Sequence, residues 1–72
     1  MSVAGYSSSG APTPRMLDAA RCSARGLGVT ATAAELGVSR ETVRTLRAAL
    51  LARLGVPNTV AAVFELERRG LL

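Results

Sequence analysis

No histidine, lysine or tryptophan occurs in this chain, and cysteine occurs once. Each absence closes off a class of function. With no histidine and a single thiol, Cys22, there is no ligand set for zinc or another transition metal. The commonest general base is missing too. The five acids, Asp18, Glu35, Glu41, Glu65 and Glu67, form no pairing beyond helix-surface spacing. Ser7, Ser8 and Ser9 have no base near them in sequence. Gly26-x-Gly28 precedes a predicted helix, but it follows no strand and carries no lysine, so it is no phosphate loop. The reading is therefore of a protein that is not an enzyme, with no catalytic residue, metal or cofactor.

Aromatic residues are nearly absent as well, with only Tyr6 and Phe64. The core must be aliphatic and thin. A chain this short buries only about 60% of its unfolded surface, so a second chain could supply missing burial. Long apolar runs are also lacking. Stretches such as Ala48–Ala52 are far too short to span a bilayer, and the N-terminus lacks the charged start and apolar segment of a signal peptide. No membrane is expected as a partner, and the expected location is the cytoplasm. There a lone Cys22 stays reduced and acts as a small buried hydrophobe.

What the chain does have is arginine: Arg15, Arg21, Arg25, Arg40, Arg44, Arg47, Arg53, Arg68 and Arg69 give a net charge of +4. The balance suits an anionic partner, with nucleic acid the first candidate.

Four helical segments are legible, so the expected fold class is all-α. Residues 1–11 are small, uncharged and aperiodic, and are expected to form a flexible tail that includes Tyr6. An ordered domain is expected over residues 12–72. Thr13 can cap a first helix from Pro14 to about Arg25, where proline at the first position costs no hydrogen bond. Thr30 can cap a second helix, Ala31 to Leu36. Gly37 supplies the positive φ of a tight turn, and Ser39 caps a third helix, Arg40 to Leu54. Asn58 can cap a fourth helix, Thr59 to Arg69.

The stretch Ala31–Leu54 has the spacing of a helix-turn-helix, with Ala33 small at the crossing, Gly37 at the turn and Val43 pointing back. On the third helix, Val43, Leu46, Leu50 and Leu54 share one side, and Glu41, Thr45, Ala48 and Ala52 lie opposite with Arg44 flanking them. Arg47 falls beside the apolar stripe, where it would snorkel along its stem or pair with an acid such as Glu35. On the fourth helix Val60, Val63 and Phe64 recur at helical spacing, more apolar surface than a small bundle absorbs.

These landmarks continue beyond the helix-turn-helix. Thr13-Pro14-Arg15 opens the ordered part, Ala24-x-Gly26 closes the first helix, and the central run is Ala33-x-x-Leu36-Gly37-Val38-Ser39-x-x-Thr42-Val43-Arg44. Leu54-Gly55-Val56 precedes the fourth helix, and Gly70-Leu71-Leu72 ends the chain. From Pro12 to Leu72 this order resembles the LuxR/GerE-type DNA-binding domain, a four-helix bundle. The resemblance implies a bacterial transcription regulator that binds double-stranded DNA with its third helix in the major groove. It also implies a homodimer, with the fourth helix contributing through Val60, Val63, Phe64 and Glu67.

By the same resemblance Arg44, Thr45 and Ala48 match base- and backbone-contacting positions, with Arg40 and Glu41 on the leading turn beside them. The family commonly has a lysine at Thr30, an acid at Met16, bulky aliphatics at Ala19 and Ala20 and an aliphatic at Thr32. Its histidine–aliphatic pair is Leu46-Arg47 here. These departures imply a smaller core and a weaker phosphate grip from the second helix, worth roughly one unit of salt slope per lost contact. Arg40, Arg47 or Arg53 would compensate. Most relatives carry this domain behind a sensor or receiver, for which the preceding residues leave no room, so a stand-alone regulator is expected. A second reading is a protein-interaction module on the same scaffold, binding another transcription protein.

Overall fold

A computed structural model describes residues 11–72, so the tail expected over residues 1–11, with Tyr6, lies outside the described residues apart from Ala11. Four helices follow in order: α1 Pro14–Ala24, α2 Val29–Leu36, α3 Arg40–Leu54 and α4 Thr59–Arg68. Three of the four caps read from the sequence are made. Thr13 Oγ1 accepts from the Met16 N–H at 3.2 Å, Ser39 Oγ from the Thr42 N–H at 3.0 Å, and Asn58 Oδ1 from the Ala61 N–H at 2.8 Å. Each occupies one of the donors that a helix start leaves without an intrahelical partner.

The cap expected from Thr30 is not made. Gly28, extended at φ −81° and ψ −172°, takes the N-cap position without a side-chain bond, and its carbonyl accepts from the Thr32 N–H at 2.9 Å. This starts α2 two residues earlier than expected and places Thr30 inside the first turn. The other end follows the expectation. Gly37 sits at φ 70° and ψ 36°, and the Val38 N–H returns to the Ala33 carbonyl at 3.0 Å. A Cβ on Gly37 would meet nothing within 4 Å, so its left-handed backbone, not crowding, selects glycine. α4 ends one residue earlier than expected, with Arg69 as its C-cap.

α1 and α3 each pack on the other three helices, whereas α2 and α4 each touch only α1 and α3. Met16, Ala20, Leu50, Leu54, Ala62 and Leu66 form the core, with Leu17, Leu46 and Leu72 packed against it. Ala19, Ala20 and Ala62 are fully enclosed. Small side chains at these points let the helix backbones approach closely, which is how a chain with one phenylalanine, itself exposed, fills its interior. Cys22 is buried and free.

Thr32 is an exception in this core. It is 0% exposed, and among the described residues its Oγ1 has no hydrogen-bond partner. Enclosing a hydroxyl without a partner costs about 1–3 kcal/mol. Thr32→Val keeps the shape and removes the orphan. It should raise stability by about 1 kcal/mol, or roughly 4–8 °C in thermal midpoint for a domain of this size. Thermal denaturation followed by circular dichroism checks this, and an unchanged or lowered midpoint would show that the hydroxyl is satisfied.

Candidate nucleic-acid interface

α3 divides cleanly into two faces. Val43, Leu50 and Leu54 are buried against the other helices, whereas Arg40, Glu41, Thr42, Arg44, Thr45 and Ala48 are exposed on its N-terminal half. The cap fixes where this face begins, because Ser39 is extended and holds the Thr42 N–H. The Ser39 hydroxyl also donates to Thr42 Oγ1 at 3.0 Å. Thr42 therefore belongs to the exposed leading turn, although sequence reasoning missed it. Its place three residues after the cap was the available signal.

The side chains on this face are lightly held. Arg44 Nη1 lies 3.9 Å from Glu41 Oε1, the loosest of the ion pairs among the described residues. Arg40 is exposed and forms no ion pair among those residues. Thr45 and Ala48 add short side chains, so the middle of the face is shallow enough for close approach to another surface.

Two arginines expected at this interface are elsewhere. Arg47 is half-buried and donates from Nη2 to the Leu27 carbonyl at 3.0 Å, while its enclosed Nε finds no partner among the described residues. The wheel already placed it beside the apolar stripe, and the loop before α2 supplies the acceptor it reaches. Its expected alternative partner, Glu35, pairs with Arg25 instead, at 3.6 Å. Arg53, in the last turn of α3, donates from Nη1 to the Ala11 carbonyl at 2.6 Å. Thirteen residues at 1.5 Å each put it roughly 20 Å along the axis from Arg40. Thr30 is exposed but stands on α2.

Elsewhere two acids are each shared by two arginines, which leaves one net positive charge in each cluster. Asp18 holds Arg15 at 3.8 Å and Arg21 at 3.2 Å. Glu65, with its side chain 18% exposed, accepts from Arg68 at 2.8 Å and Arg69 at 2.7 Å. The two Arg68 hydrogen bonds, then the one from Arg69, hold its carboxyl down at about 2. At the start of α3, Arg40, Glu41 and Arg44 likewise leave one net positive charge, with Arg40 outside any ion pair among the described residues.

A second exposed feature lies on α4, where Val60 is 81% and Phe64 66% exposed, one helical turn apart. Val63 beside them is half-buried and Glu67 is exposed. Two shallow clefts run between α1 and α4 and meet at Ala24. One, of about 210 Å³, is lined by Ser23, Thr59, Val60 and Val63, and the other, of about 320 Å³, by Arg21, Arg25, Glu67 and Leu72. Among the described residues no group of three or more histidine, cysteine, aspartate or glutamate side chains could hold a metal ion, and no single helix is long and apolar enough to cross a membrane.

A family model described as bacterial regulatory proteins, luxR family, matches residues 13–66. No curated protein and no solved structure matches the chain.

Proposed function

The chain belongs to the luxR family of bacterial regulatory proteins, a family of helix-turn-helix DNA-binding transcription regulators, and from that premise we propose that it reads a specific duplex sequence with α3 in the major groove. The observation that carries this reading is the two-faced α3: its apolar side is locked into the bundle, and Arg40, Glu41, Arg44, Thr45 and Ala48 stand together outside. A major groove about 12 Å wide admits one α-helix, and recognition helices meet base edges with their N-terminal residues. Arg44 can fork onto guanine or bind a phosphate, Thr45 can meet a thymine methyl, and Ala48 offers close van der Waals contact. Arg40, one residue inside the cap, suits a phosphate. Arg47 and Arg53 are left out of this interface because both are half-buried, Arg47 under the loop before α2 and Arg53 at the far end of α3. Thr30 has no charge with which to replace a lysine.

Amide chemical shifts during titration with duplex DNA test the placement. The largest changes are expected from Ser39 to Ala48, with those of Val60 to Phe64 unmoved. Changes confined to α4, or none at low salt, would overturn it.

The proposal includes a homodimer through α4. Val60 and Phe64 expose two large apolar side chains on a domain too small to waste them, and Val63 and Glu67 extend the same side. A two-fold dimer would present two copies of α3 to one DNA face, about one helical turn apart. Sedimentation at micromolar concentration should give a dimer for the native chain and a folded monomer for Phe64→Ser. A strictly monomeric native chain would instead assign this side of α4 to another transcription protein.

A further inference from the structure

Glu41 is out of place on a surface meant for phosphates. It stands on the leading turn of α3, and its side chain is 83% exposed. At about 100° per residue it occupies the middle of the exposed arc, with Arg44 about 60° to one side and Thr45 about 40° to the other. Ala48 falls within about 20° of its line. An acid in the first turn favours the helix dipole, but that benefit does not require the central position of the outward face. Nor does Glu41 contribute to the cap, which Ser39 and Thr42 complete between themselves. Its only partner among the described residues is Arg44, across a loose 3.9 Å. Both carboxylate oxygens are free to accept from something outside the chain.

Resting on the reading of α3 as a major-groove helix, we infer that Glu41 is a specificity-determining residue that selects cytosine beside a guanine held by Arg44. A carboxylate only accepts hydrogen bonds. In the major groove guanine shows it N7 and O6, and thymine O4, all acceptors that repel it. Adenine offers one donor next to an acceptor, whereas cytosine offers its N4 amino group alone. Arg44, flanking Glu41 one turn on, has the fork that fits guanine O6 and N7. The Glu41–Arg44 pair would open on binding, each member exchanging the other for a base. On any other sequence the carboxylate faces acceptors and phosphates, so the same residue suppresses indiscriminate binding.

The test is selection from a random duplex library, run in parallel with the native chain and with Glu41→Gln. The native chain should enrich a motif in which one half-site position prefers cytosine by roughly tenfold or more. In Glu41→Gln the rest of the motif should persist while that position shifts toward adenine, whose N6 and N7 a glutamine amide matches. Binding to unselected duplex should rise. Both chains enriching the same motif would overturn the assignment of Glu41 and leave DNA reading by α3 standing. If neither enriches any motif, the reading itself fails and the assignment goes with it. Matching helical circular dichroism of the two chains excludes a folding difference.

Discussion

Leu66→Ala should leave the chain largely unfolded. Leu66 is 0% exposed, in the last turns of α4, and belongs to the cluster with Met16, Ala20, Leu50, Leu54 and Ala62 that joins α1, α3 and α4. Truncating a leucine in such a place removes its transfer free energy and leaves a cavity, together about 2–5 kcal/mol. A single core in a domain this small rarely supplies more than roughly 3–5 kcal/mol in total. The loss therefore approaches the whole stability. Circular dichroism should show most of the helical signal gone and no cooperative thermal transition. Leu71→Ala is the control: Leu71 is 40% exposed, outside that cluster, and its truncation should change stability by no more than about 0.5 kcal/mol. A Leu66→Ala chain that melts cooperatively within a few degrees of the native one would mean that the helices are held together elsewhere.

The second large effect is on binding. Arg44→Ala should weaken the preferred DNA site by about 1–3 kcal/mol, roughly 5- to 150-fold, if Arg44 reads a base. Stability should be unaffected, because the side chain is 57% exposed and its one ion pair, at 3.9 Å, is a surface contact of little worth. The pattern of loss separates two roles. A base contact costs affinity for the preferred site and spares random duplex. A phosphate contact costs both equally and reduces the salt slope by about one unit. Arg47→Ala should behave oppositely, destabilising the fold by freeing the Leu27 carbonyl and leaving discrimination intact. Salt-controlled anisotropy titrations of the two variants, with urea denaturation alongside, measure both quantities.

The fold was legible wherever its cause is local. Thr13, Ser39 and Asn58 cap the helices they were expected to cap, because each bond closes over three residues. Gly37 turns the chain because no Cβ clashes with its own backbone there. The start of α2 was misread because Thr30 and Gly28 can both begin a helix, and it is Gly28 whose carbonyl accepts the first bond, from the Thr32 N–H. The family resemblance was legible from the order of short landmarks, and the matched family model bears it out.

The fate of the arginines was not legible. Arg47 finds an acceptor 20 residues away and Arg53 one 42 residues away, both backbone carbonyls that carry no sequence signature. Both are half-buried, which leaves Arg40 and Arg44 as the exposed arginines of α3. The exposure of Val60 and Phe64 follows from the same geometry. Ala62 and Leu66 already fill the side of α4 that meets the core, so Val60 and Phe64 face outward and Val63 is left half-buried between.

The measurement that bears most directly on α3 as a sequence reader is a pair of titrations at two salt concentrations. One uses a duplex recovered by selection, the other the same bases in scrambled order. The selected duplex should bind at least about a thousandfold more tightly, the lower end for specific DNA binding. Both affinities should fall together as salt rises, because the phosphate contribution is shared. Equal affinities for the two duplexes at both salt concentrations would contradict the account and leave only a basic surface.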